Sequence, residues 1–260
     1  MFIGAGLGYK KKVGDSVDED KIEHTFIMQE SGVLNKLSNL IATVPVEYTR
    51  VVGDIIKHAE RCLNYEFTDM LYVTLLDHIY NLVDLWRQGI ILHNKMFFEL
   101  KRLYPEEMQV ALWSVDLINQ KLQVKVQDEE AANIVMHFIT SRRSNPIDVT
   151  DVVSNTSKIH DILELVRIYN HLDLSRSSLA LDRFTIHLNF LLKRLSLDQK
   201  GRQVKDIEED FLEKIREKDI LSYKTAMLIG DYLGKSLTSD ELFYLSLHVR
   251  RLLDEYKENS

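Results

Sequence analysis

The stretch Ile118–Phe138, "INQKLQVKVQDEEAANIVMHF", aligns without a gap to Ile229–Val249, "IGDYLGKSLTSDELFYLSLHV". Glu130 and Glu241 share a register, each seven positions before a histidine, His137 and His248. A second match lies upstream, "YVTLLDHIYNLVDL" (Tyr72–Leu85) against "LDRFTIHLNFLLKR" (Leu181–Arg194), where His78 stands opposite His187. The intervals also agree, 59 positions from His78 to His137 and 61 from His187 to His248. Self-similarity at a fixed spacing is the mark of a duplicated unit. Each copy carries two imidazoles, side chains that titrate near neutral pH and can act as nucleophiles.

The rest of the chain is punctuated sparsely, by three prolines and ten glycines in 260 residues, with half of the glycines before residue 33. Long helices with short connections follow from that spacing. Pro45 suits the first turn of a helix running to about Cys62. Leu71, Leu75, Ile79 and Leu82 recur at helical spacing until Gly89 ends the element. Pro105 starts another helix, "EEMQVALWSVDLINQKL", and Thr238 with Glu241 has the spacing of a capping box ahead of the stripe Leu242, Leu245, Val249 and Leu252. The polar run "SRRSNPIDVTD" (Ser141–Asp151) separates the copies, with the boundary near Pro146. Gly4–Met28 has no helical stripe and reads as a short β-hairpin, a piece too small to be stable alone. The expected fold is mainly all-α: two tandem homologous helical-bundle domains, 33–145 and 146–260, behind a hairpin remnant in 1–28.

Composition narrows the function. At 45% hydrophobic and 28% charged the chain is globular, and a single cysteine, Cys62, forbids an internal disulfide and fits a reducing, cytoplasmic setting. No apolar run is long enough for a membrane span, and the first residues lack the apolar centre of a signal peptide. A formal charge of −7 argues against a generally basic nucleic-acid-coating surface, though a local patch such as Lys10–Lys12 is compatible with RNA.

Among the histidines, His24, His58, His93, His160 and His171 have no counterpart in the other copy and read as ordinary structural residues. On a helix Arg183 and Arg194, four before and seven after His187, fall within roughly 40° of it. Two guanidinium groups there would keep the imidazole neutral and attract a phosphoryl group by charge-assisted hydrogen bonds. Arg251 lies one turn beyond His248; His78 has Thr74 and Leu85 at the positions of the two arginines. The pattern suits a phosphate-accepting face better than a metal site. His160-Asp161 repeats the dipeptide of metal-dependent phosphohydrolases but lacks convincing companion ligands, and no GxxxxGK[ST], HExxH or GxSxG is present. No enzyme activity, metal or cofactor is expected.

At this point the residues resemble a family. Gly4–Phe26, "GAGLGYKKKVGDSVDEDKIEHTF", resembles the end of the RNA-binding (CAT) domain of the BglG/LicT transcriptional antiterminators. "LYVTLLDHI", "LKRLYPEEM", "RFTIHLNFLLKR" and "LTSDELFYLSLHVRRL" resemble the signature segments of their two phosphotransferase-system regulation domains (PRDs). The resemblance implies a homodimeric regulator that binds a hairpin in a nascent leader RNA and is controlled by histidine phosphorylation. In the family the sugar-specific transporter (enzyme II) inhibits through the first domain and the phosphocarrier HPr usually activates through the second. His78 and His137 match the first pair of acceptors, His187 and His248 the second, and Gly4 and Tyr9 fall at positions that contact RNA. The chain would then be a substrate of phosphoryl transfer rather than a catalyst. It departs from the family at Leu85, where an arginine is usual, at Asn81, where an aromatic is usual, and at "AANIVM" before His137. The resemblance also begins at about the third of four strands of the RNA-binding domain, so its first half is expected to be missing. That leaves a second reading open, a phosphorylation sensor that acts through protein contacts without RNA.

Overall fold

The structure is a computed structural model that describes residues 2–3, 6–12, 14–22, 24–25, 40, 43–144, 147–174, 178–196 and 209–257. The described residues are mainly helical. Two short strands, β1 (Phe2–Ile3) and β2 (His24–Thr25), pair antiparallel, Phe2 opposite Thr25 and Ile3 opposite His24. Pro146, at the expected boundary, lies outside the described residues.

Packing divides the chain into two compact units. The first contains α1 (Val46–Leu63), α2 (Met70–Arg87), α4 (Pro105–Leu122) and α5 (Glu130–Thr140). Its core is a set of stripes at helical spacing: Val52, Ile55 and Ala59 on α1; Leu71, Leu75, Ile79 and Val83 on α2; Ala111, Val115 and Ile118 on α4; Ile134, Val135 and Phe138 on α5. Each fully buried aliphatic or aromatic side chain there contributes about 1.5–3 kcal/mol relative to exposure. α2 lies against α1 and α5, and α4 against α1 and α5.

The second unit contains α6 (Val149–Asn170), α7 (Leu179–Ser196), α8 (Glu209–Lys218), α9 (Ile220–Leu233) and α10 (Ser239–Lys257). Its core joins Ile159, Ile162 and Val166 of α6 with Phe184, Leu188 and Leu191 of α7, Ile229 of α9 and Leu245, Val249 and Leu252 of α10. This unit also includes residues 98–103 of the short α3 (Phe97–Leu103), which lies between α2 and α4 in the chain. Arg102 Nε donates to Asp182 at 3.0 Å, and buried Glu99 meets His160 Nδ1 at 3.1 Å. His160, which has no counterpart in the other copy, is held by this contact with Glu99.

The duplication is visible at the helix ends. α4 and α9 occupy corresponding positions, and each ends in a left-handed residue, Gln123 (φ 54) in one and Gly234 (φ 61) in the other. Such caps close the last carbonyls at least cost with glycine. Just inside those ends the copies diverge. In the first, Asn119 holds both backbone groups of Val126, donating to its carbonyl at 3.1 Å and accepting from its N–H at 2.8 Å. In the second, the matching pair is Gly230 and Leu237: a Cβ on the glycine would lie 3.2 Å from the leucine side chain. A polar clamp and a small-to-large contact fill the same corner. The capping box also forms, with Thr238 N–H donating to Glu241 Oε2 at 2.9 Å and Glu241 N–H to Thr238 Oγ1 at 3.3 Å.

The segment after α5 is fastened back onto the first unit. Thr68 N–H donates to Ser141 O at 2.8 Å, Arg143 N–H donates to Glu66 O at 3.0 Å, and Arg142 pairs with buried Glu107 while its guanidinium covers the Tyr65 ring at 4.3 Å. Burial and the nearby Glu107 carboxylate push the Tyr65 hydroxyl up to about 12, so it remains a neutral donor.

Candidate functional site

Each unit brings its two histidines together. The facing helices α2 and α5 place the His78 and His137 rings with centroids 5.1 Å apart and inclined at 50°. In the second unit α7 and α10 stack His187 and His248 at 4.2 Å and 26°. Positions 59 to 61 residues apart in sequence therefore meet because the apolar stripes on the same helices meet. All four rings are partly buried.

Burial holds three of these imidazoles, His137, His187 and His248, below the ordinary range. Burial first, then the His78 ring, lowers His137 to about 4. Burial, then His187, Arg251 and Arg183, lowers His248 to about 4. His187 is also held below the ordinary imidazole range, by burial and then by the Arg194 charge. A neutral imidazole keeps a free lone pair at neutral pH, the form that attacks phosphorus.

The charged surroundings differ between the copies. Glu130 is buried, and its Oε2 lies 3.5 Å from His78 Nε2, a nitrogen that is itself buried and makes no hydrogen bond. The same carboxylate oxygen accepts from Asn133 at 2.8 Å, and Asn133 accepts in turn from Asn94 at 2.8 Å. In the second unit the matching glutamate, Glu241, is taken up elsewhere. Arg194 donates to its Oε1 at 2.8 Å, leaving Oε2 for the capping box. Leu85 stands at the position matching Arg194, and among the described residues Glu130 forms no ion pair with a guanidinium.

The arginines expected to flank His187 are divided. Arg194 is tied to Glu241, whereas Arg183 lines a cleft of about 350 Å³ with His248, Arg251, Leu179 and Asp254. Arg183 and Arg251 are exposed and form no ion pair among the described residues. The helix wheel put Arg183 beside His187; the structure places it in the cleft with His248, which α10 supplies. Sequence reasoning also missed the role of Glu130. Its register with Glu241 was visible; its approach to His78, from α5 to α2, was not.

At the other end of the chain Tyr9 is 74% exposed, in a turn where Gly6 adopts φ 73. Lys10 lies over the Tyr9 ring at 5.3 Å. Gly4 lies outside the described residues. No group of three or more metal-ligating side chains occurs among the described residues, and no described helix is long and apolar enough to cross a membrane.

Comparison with known proteins matches this arrangement. A family profile described as PRD domain matches residues 53–141 and again 160–252, one match over each histidine pair. The chain belongs to the family of PRD-containing transcriptional antiterminators. Members regulate sugar-utilisation genes under phosphotransferase-system control. A profile described as CAT RNA binding domain matches residues 1–35 of this antiterminator. The "Beta-glucoside operon antiterminator" of Dickeya chrysanthemi is 30% identical over 100% of this chain and 92% of its own length. "Transcription antiterminator LicT" of Bacillus subtilis (strain 168) is 29% identical over 98% of this chain and 92% of its own. A crystal structure of GlcT CAT-PRDI aligns with a TM-score of 0.49 at 28% identity, covering 55% of this chain and 85% of that one.

Proposed function

We propose that this antiterminator receives its sugar signal chiefly through the second histidine pair, as a substrate of phosphoryl transfer and not as a catalyst. The observation that supports this most is the contrast in what faces the imidazoles. His248 shares a cleft with Arg183 and Arg251, whereas His78 has the Glu130 carboxylate 3.5 Å away. An incoming phosphoryl group carries about −1.5 to −2 charge, so guanidinium groups favour it and a buried carboxylate opposes it.

The transfer is a displacement at phosphorus. The acceptor's lone pair forms the new N–P bond as the donor's N–P bond breaks, and the electron pair of the broken bond stays on the donor imidazole. The proton leaving the acceptor's other ring nitrogen balances the one the donor takes up. HPr is the donor for His187 and His248. The sugar-specific transporter, enzyme II, acts on His78 and His137, an input weakened here by Glu130. Residues 1–28, with exposed Tyr9, contribute to contact with a leader RNA hairpin, and the protein works as a homodimer.

Two measurements test the reading. After incubation with phosphorylated HPr, peptide mass spectrometry at neutral pH is expected to find phosphate in the second pair and little in the first; an unmodified second pair refutes it. In gel shifts with a leader hairpin, phosphorylation by HPr is expected to change binding, and Tyr9→Ala to weaken it.

A further inference from the structure

We infer that the cleft between α1 and α4 of the first unit binds an unpaired nucleotide, its base stacked on Trp113 and its phosphate held by Lys57, Arg61 and Lys121. These two helices carry neither histidine pair, so the site stands apart from the phosphorylation reading.

The cleft measures about 790 Å³, and Lys57 and Arg61 of α1 line it together with Trp113 and Lys121 of α4. Its layout follows from two contacts. Tyr65 Oη donates to Glu107 Oε1 at 3.2 Å, and the His58 ring stacks on Trp113 with centroids 3.7 Å apart and planes inclined at 21°. A step back along α1 from Tyr65 to His58 is matched by a step forward along α4 from Glu107 to Trp113, so the helices run antiparallel. Lys121 therefore belongs to the Asp54 end of the cleft and Arg61 to the other, with Lys57 between them, one turn from Arg61.

Two properties of the cleft select the ligand. The first is the indole. Trp113 is 37% exposed, whereas Val110, Ala111, Val115 and Ile118 on the same helix are buried. His58 backs the ring without itself lining the cleft. An exposed aromatic plane held in this way accepts any base, because every base has a π face. The second is the charge. Lys57, Arg61 and Lys121 outnumber the two carboxylates of the cleft, Asp54 and Glu60, so it is net positive in a chain of formal charge −7. None of the five forms an ion pair among the described residues. Arg61 Nε donates to the Lys57 carbonyl at 3.3 Å, and its two terminal nitrogens remain for an anion. Lysine and arginine meet phosphate by charge-assisted hydrogen bonds, while Asp54 and Glu60 accept from ribose hydroxyls or a base amino group. A purely apolar ligand would leave all five charges unused, and a purely anionic one would leave the indole unused.

The test uses the full chain carrying Trp86→Phe, which leaves Trp113 as its single tryptophan. Adenosine 5′-monophosphate is titrated at low salt beside adenosine, which lacks the phosphate, ribose 5-phosphate, which lacks the base, and a short single-stranded oligoadenylate. The mononucleotide is expected to quench Trp113 saturably and each fragment to bind about tenfold more weakly. Lys57→Gln/Lys121→Gln, at exposed positions that leave the core intact, is expected to cost about tenfold in affinity, and Trp113→Leu, followed by calorimetry, about tenfold or more. An oligoadenylate that binds more tightly than the mononucleotide, with a steeper salt dependence, assigns the nucleotide to an RNA strand; equal affinities assign it to a free nucleotide. Absence of saturable quenching by both overturns the inference, as does wild-type affinity in either variant. Slower phosphorylation by HPr in Trp113→Leu, with no nucleotide bound by the parent chain, makes the cleft a protein-docking surface and overturns it as well.

Discussion

The two copies differ at one matching position, leucine at 85 and arginine at 194, and in the partner of the matching buried glutamate. Glu241 is drawn to Arg194, and Glu130 is left beside His78. Leu85→Arg is expected to draw Glu130 off and raise phosphorylation of the first pair by about tenfold, the worth of one charge-assisted contact. Glu130→Gln should act in the same direction, and quantitative mass spectrometry of peptides bearing His78 and His137 checks both. The lowered histidines also fix a pH dependence. His137 binds a proton only near pH 4 in the folded chain but near 6.5 when unfolded, so the native state holds fewer protons between those values. Stability is therefore full above about pH 6.5 and falls as pH drops toward 4, by at most about 3 kcal/mol from His137. His248 adds less, because its cleft is open to solvent. Urea midpoints at pH 7 and pH 5 should converge in His137→Gln relative to wild type.

Elements were the most legible level in the sequence. Pro45, Pro105, Gly89 and the Thr238–Glu241 box marked helix ends that the structure places within a residue or two. Local signals sufficed there because capping is local chemistry. What the sequence could not show were contacts set by packing between distant elements. Residues 98–103 join the second unit through Glu99 with His160 and Arg102 with Asp182, partners 61 and 80 positions away. The partition of Arg183 and Arg194 was hidden for the same reason, since it depends on where α10 puts His248 and Glu241. Two element-scale outcomes follow. Gln123→Gly removes a left-handed non-glycine cap and is expected to stabilise the first unit by about 0.5–1 kcal/mol in thermal melts. Arg142→Ala strands the buried Glu107 carboxylate and is expected to cost about 3 kcal/mol, whereas Tyr65→Phe, which keeps the ion pair, should cost about 1.

On the scale of the whole molecule, the proposed function gives two copies of one bundle inputs of unequal strength. In a reporter strain with a leader terminator, His248→Gln is expected to abolish the HPr-dependent part of antitermination. His78→Gln should change expression less than twofold, the outcome for an acceptor that is seldom modified. Equal effects at both sites would contradict the ranking of the pairs. The cleft beside His248 has one more property, its exposure: Arg183 and Arg251 both face solvent. A phosphoryl group lodged there stays within reach of water and of any carrier able to take it back. On the proposed function the mark would then have a lifetime, and the second domain would report how recently the cell was able to write it.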